Sequence, residues 1–540
     1  MAALFPSVSV AAIYGCPSPC FRGSRIWLPS PVPTMSFLKS LLKDTALYGL
    51  TSIVGRFLNY LLVPVYTKVM PAVSGEYGVV TNMYAYTALI LAVLTFGMET
   101  TFFRFANKAE ENPRDVYSTA LLTVGGLSLL FLTLVLTFLT PISQSLGYGA
   151  HPEYIAIMAI IVAIDAFACI PFSYLRYQQK AKKFCTLKMV NILVNIGLNI
   201  FVFLDCPRIY QSHPELISWF YDKEYLAGYV FAINLITSVV TLMMLMKEWM
   251  PFGQFHTSSG QSLPFRYVWD RQLFRRMFKY SYPVLILSIA GILNQTMDKI
   301  IYPFLVPGAE GVRQLGIYGA AAKIAMIMAM FTQAFRYAYE PIIFNKSKDK
   351  DDTVKSNILG MKYFIIFTLL GFLCVIAWLD IFKVLLIRNQ DYWEGLVVVP
   401  IVMAAEIMMG IYFNLSFWYK LIDKTLWGAL FSVIGCLVLL TVNVIFVPRY
   451  GYIACAWAGF CGYATCMLLS YFVGQKKNPI PYDLKSIGSY VLLAAALFVS
   501  MTQIPDVGIW TLIIKTAHVI FFLAFLCLKD FPFWRLLKRH

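Results

Sequence analysis

Residues 316–341 read GIYGAAAKIAMIMAMFTQAFRYAYEP, and residues 75–78 read GEYG. Each glycine-flanked tyrosine opens an apolar run of about 20 residues, the length that spans a hydrocarbon core of roughly 30 Å. The two motifs lie 241 residues apart. Sliding the chain on itself by that offset sets Gly75, Tyr77 and Gly78 on Gly316, Tyr318 and Gly319. It also sets Glu99 on Glu340, Phe103 on Phe344, Asp165 on Glu406, Phe172 on Phe413 and Lys183 on Lys424, without a gap. The offset covers six apolar runs. Six is even, so the second copy enters the membrane from the same side as the first. The expectation is two parallel lobes related by an axis along the membrane normal.

Hydrophobic residues make up 59% of the 540 and charged residues only 13%, about half the charged share of a soluble protein. The runs are too long and too uniform for a barrel, whose strands alternate over about ten residues. In lipid the backbone must satisfy itself within each segment, so the spans are helices. The net charge of +16 reads as cytoplasmic loop charge rather than a nucleic-acid surface. Cys16 and Cys20 form one pair with no second pair to complete a zinc site, and the five histidines are scattered. No metal site or disulfide framework is expected.

Fourteen spans are expected, at about 45–67, 77–101, 116–140, 154–175, 184–204, 226–246, 280–305, 314–338, 358–380, 395–418, 425–447, 451–473, 487–503 and 508–528. Threaded this way, 30 Lys and Arg fall in the loops of one side and 7 on the other. The positive-inside rule then puts both termini in the cytoplasm. The expected organisation is an N-lobe at 36–247 with helices 1–6, a cytoplasmic linker at 248–279, a C-lobe at 280–474 with helices 7–12, and helices 13–14 with a basic tail at 475–540. Residues 1–35, rich in proline and without an acid, are expected to be a disordered extension or to precede a start at Met35. The linker ends in WDRQLFRRMFKY. Trp269, Leu273, Phe274, Met277 and Phe278 fall on one helical face and Arg271, Arg275 and Arg276 on the other. That pattern predicts an interfacial helix along an anionic leaflet.

KYSYPVLILSIAGILNQTMDKIIY at 279–302, the run from Leu315 to Pro341, NVIFVPRYGYIACAWAGFCGYA at 443–464 and GRFLNYLLVPVYTKVMPAVSGEYG at 55–78 together resemble the polysaccharide-biosynthesis flippases. These belong to the multidrug/oligosaccharidyl-lipid/polysaccharide exporter superfamily. The resemblance covers about residues 36–475. It departs at the long loop DCPRIYQSHPELISWFYDKEY between spans 5 and 6. It implies an alternating-access flippase for an oligosaccharide on polyprenyl pyrophosphate, serving cell-surface polysaccharide or lipopolysaccharide synthesis from the cytoplasmic (inner) membrane. The implied partners are the lipid-linked substrate, membrane lipids, and glycosyltransferases and a polymerase of the same pathway, with no nucleic acid.

Charges inside helices are costly, by roughly 2.5–3.5 kcal/mol each on insertion scales, and face a cavity or a partner. A pyrophosphate headgroup needs cationic donors in place of its water. Arg56 in span 1 and Lys323 in span 8 are the candidate anion ligands, with Asn59 beside them. Arg56 resembles in position an arginine that lipid II flippases use. An internal ion pair that only fixes helix packing is the structural alternative. Asp165, Glu406 and Asp298 are candidates for coupling to H+ or Na+, or else neutralise a nearby cation. Glu99, Arg104, Arg336 and Glu340 lie at the cytoplasmic ends of spans 2 and 8 as candidate inner-gate pairs, Glu99 with Arg104 and Glu340 with Arg336. Asn191, Asn195, Asn294 and Asn414 either meet sugar hydroxyls or bond between helices. Lys515 and His518 in span 14 read as peripheral. No cofactor is expected.

Two sibling transporters remain, a lipid II flippase and a cation-coupled multidrug antiporter. The antiporter requires an acidic cavity, which Arg56 and Lys323 oppose. The rival of another class is a membrane polymerase or ligase of lipid-linked sugars. That needs catalytic groups on large outer loops, and the longest outer loop is only about 205–225. No GxxxxGK[ST] is present for ATP hydrolysis.

Overall fold

The computed structural model describes residues 58, 60–108, 110–250, 254–257, 261–346, 350–421, 424 and 426–530. Among these residues, thirteen helical spans are long and apolar enough to cross a bilayer. They coincide with the expected second to fourteenth spans, from Glu76–Ala106 through Arg271–Leu305 to Ile509–Lys529. Most of the first expected span, 45–67, lies outside the described residues, although Val63–Val69 is helical. The fold is an all-α, multi-pass membrane protein.

The chain divides into two compact units: Met1–Val69 with Val79–Ile300, and Met70–Gly78 with Ile301–His540. The division falls inside the helix Arg271–Leu305. Within the first unit the fourth span, Pro152–Tyr177, packs on the helices Pro113–Thr137, Leu226–Met244 and Met98–Ala106. Within the second, the tenth-span helix Val399–Leu415 packs on Lys350–Ala377, Tyr452–Lys477 and Ala309–Lys346. The 241-residue offset carries Pro113–Thr137 onto Lys350–Ala377 and Met98–Ala106 onto the end of Ala309–Lys346, and Leu226–Met244 and Tyr452–Lys477 correspond in helix order, as the sixth and twelfth spans. The repeat read from the sequence is therefore also a repeat of helix neighbours.

As repeat equivalents that each precede an apolar run, the two glycine motifs would be expected to form the same outer turn between helices. Gly75 does turn, with φ +71°. GIYG, however, lies inside the helix Ala309–Lys346. The longer segment before it has wound into helix, braced by Glu310, which accepts from Arg313 Nε and Gln314 Nε2, each at 2.9 Å. The glycines serve close approach instead. A Cβ on Gly78 would sit 1.9 Å from the Val312 carbonyl oxygen and 3.0 Å from Gly316 N. Nearby, Tyr392 donates to Met70 O at 2.8 Å and meets Tyr77 edge-on.

Proline at 303 removes the amide that would bond Lys299 O four residues back. Buried Asn82 supplies the missing donor, Nδ2 to Lys299 O at 2.6 Å, and its Oδ1 accepts from Tyr148 at 2.8 Å. Asn82→Ala strands a carbonyl and a phenol at once. The expected cost is about 1–3 kcal/mol per stranded group. It is read as a lower apparent melting temperature, and an unchanged melt would contradict the assignment.

The linker contains strands that the sequence reading did not anticipate. Gln254–His256 pairs antiparallel with Ser262–Pro264. Phe255 is fully buried, stacked on Tyr174 at 4.8 Å. Tyr174 Oη accepts from His256 N at 2.8 Å and donates to His256 O at 3.2 Å. Arg114 donates to Pro264 O and Ser118 accepts from Val268 N. The hairpin is thus fastened to the ends of the third and fourth spans. The amphipathic stretch after it is not a separate interfacial helix, as the residue pattern suggested. It is the start of the continuous helix Arg271–Leu305, capped by Asp270, whose Oδ1 accepts from Gln272 N and Leu273 N.

The last two spans pack on Lys350–Ala377. At one end Lys362 pairs with Asp530 at 2.5 Å, and Tyr490 donates to the same carboxylate. Beyond the other end of that helix Asp380 pairs with Lys383 and, at 3.2 Å, with Lys515, while Trp378 donates to Thr516. Lys515 is therefore an anchor of the fourteenth span rather than peripheral. Burial would raise the Asp380 carboxyl, but Lys383 and Lys515 outweigh it and hold the group below the usual range. Asp530 is held down in the same way by Lys362 and Tyr490 against its own burial.

Candidate functional site

In the first unit the charges inside the spans gather. Glu99, on the short helix Met98–Ala106, forms an ion pair with Arg176 near the end of the fourth span. That helix is set off from Glu76–Thr95 by Phe96 and Gly97, both at positive φ, which re-aims it. The Arg176 guanidinium also donates to Ser173 Oγ at 3.2 Å and lies 5.0 Å from the Phe103 ring centre. Asp165, about three turns back on the same helix, accepts from Ser238 Oγ at 2.8 Å. Its other oxygen is buried and has no hydrogen-bond partner among the described residues. Lys188 reaches in from the fifth span, its ammonium 4.0 Å from the Phe172 ring centre and within electrostatic reach of Asp165, Glu99 and Arg176. Two acids and two bases thus gather in one group, and one Asp165 oxygen is left without a hydrogen bond among the described residues.

The expected pairing of Glu99 with Arg104 does not form. Five residues turn a helix by about 500°, so the two side chains leave it some 140° apart. Arg104 lies over the Tyr280 ring at 4.2 Å instead. Arg176, just beyond the expected fourth span, reads as a loop cation, and nothing in the sequence singles out Lys188 or Ser238. A Lys or Arg one helical turn from a span's end carries no local sign of whether it faces solvent or a carboxylate.

In the second unit, Lys323 is half-buried on the helix Ala309–Lys346, and Glu406 is half-buried on Val399–Leu415. Arg336 lies over the Phe413 ring at 5.1 Å. It lines a narrow cleft with Thr332, Tyr339, Asn414, Phe417 and Lys420. Phe172 and Phe413 are repeat equivalents, and each carries a cation on its face. Glu340 lies on the same helix as Arg336, but its side chain is outside the described residues. Asp298, in the seventh span, is buried and paired with Lys299, whose Nζ is 3.1 Å from both carboxylate oxygens. Arg56 and Asn59 lie outside the described residues.

The asparagines mostly bond between helices. Asn191 donates to Thr241 Oγ1 at 2.7 Å and Asn195 to Asn234 Oδ1 at 3.1 Å, tying the fifth span to the sixth. Asn234 continues to Tyr84 Oη at 2.8 Å, and Asn199 accepts from Tyr66 at 2.7 Å. Asn294 and Asn414 donate to carbonyls of their own helices. Among the described residues, no three His, Cys, Asp or Glu side chains come together as a metal site.

A family model described as polysaccharide biosynthesis protein matches residues 41–345. None of the curated proteins matches the chain. Among solved structures, the lipid II flippase MurJ in an inward closed conformation superposes with a TM-score of 0.66 at 15% identity, covering 94% of this chain and 100% of its own. An inward-facing multidrug resistance MATE family transporter of the MOP superfamily gives 0.59 at 12% identity, covering 82% and 97%. The MATE multidrug transporter DinF-BH gives 0.57 at 14%, covering 84% and 99%. At these identities the likeness is one of fold.

Proposed function

Because this chain belongs to the polysaccharide biosynthesis protein family and has the fold of MOP-superfamily transporters, we propose that it flips polyprenyl-pyrophosphate-linked oligosaccharide from the cytoplasmic to the outer leaflet. The observation that carries the substrate class is Lys323, a cation inside the apolar eighth span. An anionic headgroup that sheds water requires such a partner. Arg56 and Asn59 join it as ligands of the headgroup and first sugar. Movement is by alternating access, coupled to H+ or Na+ through Asp165, Glu406 or Asp298. Asp165 is the best supported of the three, because one of its oxygens is buried without a hydrogen bond among the described residues. Glu99, Arg104, Arg336 and Glu340 serve the cytoplasmic gate. The protein works in the cytoplasmic membrane with both termini inside, beside the glycosyltransferases and polymerase of its pathway.

A lipid II flippase is the second reading, supported by the MurJ-like fold. One experiment separates the two. Proteoliposomes are loaded with a lipid-linked oligosaccharide or with lipid II, and outer-leaflet arrival is followed by an impermeant sugar oxidant or lectin. Transport of the oligosaccharide lipid and not of lipid II is the expected result. Lipid II transport alone would favour the second reading, and transport of neither would overturn both.

A further inference from the structure

The helix Arg271–Leu305 has 35 residues and is about 52 Å long, well beyond the roughly 30 Å of a hydrocarbon core. Its first turns therefore lie in the headgroup zone or beyond it. One face of this part is fixed: Leu273, Met277, Ser281 and Val284 are buried, and Arg276 pairs with Glu111 at 2.9 Å. The opposite face is exposed and graded. Arg271, Arg275 and Lys279 recur at four-residue spacing, with Phe278 beside Lys279 and with Tyr282 and then Ile286 beyond the last cation, all exposed. Trp269, Phe274, Phe278 and Tyr282 run as successive ring contacts beside the cations, with centroids 5.4, 5.7 and 6.4 Å apart. Among the described residues, no acid pairs with Arg271, Arg275 or Lys279. The nearby carboxylates are already committed: Glu111 to Arg276, Asp270 to the helix cap and Asp115 to Arg114.

Cation, then aromatic, then aliphatic is the order in which a membrane leaflet presents phosphate, glycerol boundary and acyl chain. We propose that this face binds an anionic phospholipid of the surrounding leaflet. Its phosphodiester sits among Arg271, Arg275 and Lys279, and its upper chains lie on Phe278 and Tyr282. The site lies on the outside of the seventh span and serves a resident lipid rather than the transported one. It stands whatever the cargo proves to be.

The test is lipid retention by the purified full-length protein, reconstituted in phosphatidylcholine with a minority of phosphatidylglycerol and examined by native mass spectrometry. The wild type should retain phosphatidylglycerol preferentially. Arg275→Gln should lower that preference about fivefold, and the Arg271→Gln, Arg275→Gln, Lys279→Gln triple variant by about that factor per charge. Exchanging the same three cations for one another (Arg to Lys, Lys to Arg) should preserve it. Soluble glycerophosphate should not displace the lipid, because the aromatic ladder binds only the chains. The proposal is overturned if the wild type shows no preference, if Arg275→Gln retains phosphatidylglycerol as the wild type does, or if glycerophosphate competes as well as the lipid.

Discussion

Gly78→Ala should be among the most damaging single-methyl additions in this protein. The new Cβ would lie 1.9 Å from Val312 O and 3.0 Å from Gly316 N. Both are backbone atoms, so no side chain can rotate away, and the two chain segments must part by more than an ångström. Overpacking of this kind costs about 1–3 kcal/mol, occasionally more, and the backbone-to-backbone geometry puts Gly78 at the upper end. The expected reading is a fall of several degrees in the apparent melting temperature together with loss of transport. Gly316→Ala should do less, since its Cβ would meet Gly78 N at 3.0 Å and the Gly78 Cα only at 3.5 Å. Gly126→Ala is the control. Nothing among the described residues lies within 4 Å of its added carbon, and alanine is favoured over glycine in a helix by about 1 kcal/mol. If Gly78→Ala melted with the Gly126→Ala variant, the close-approach reading would be wrong.

Lys323→Ala should abolish measurable flipping while the protein still inserts and purifies. Losing one charged partner of a desolvated pair costs about 2–5 kcal/mol, roughly 30-fold to several-thousand-fold in transport of the pyrophosphate lipid. Lys323→Arg keeps the charge and should retain part of the rate, although the guanidinium fork is not a point charge. Arg56→Ala should behave as Lys323→Ala does. The rival assignment, an ion pair that only positions helices, predicts a different pattern: lower melting temperature with flipping intact per folded molecule. That pattern would end the anion-ligand reading.

The spans were legible because hydropathy is local. A window of about 20 residues decides whether a segment can cross a bilayer, and no distant residue alters the answer. The repeat was legible for a related reason. Asp165 and Glu406, or Phe172 and Phe413, keep their spacing because each lobe preserves its own helix lengths. The same reading could not find that Glu99 faces Arg176, that Asn195 faces Asn234, or that Lys515 faces Asp380. Such pairs are 39–135 residues apart. Spacing along one helix predicts only which residues share its face and says nothing of a partner on another span.

The linker strands were hidden for another reason. Phe255 and Leu263 make too short an apolar pattern to argue a hairpin, and its stability comes from Tyr117 and Tyr174, on two other spans. The GIYG motif joins both lessons. Its sequence established the period of the repeat and the place of the eighth span. Only the fold decided that its first glycine sits in mid-helix against Gly78, because close approach of two backbones is a property of the pair and is written in neither segment alone.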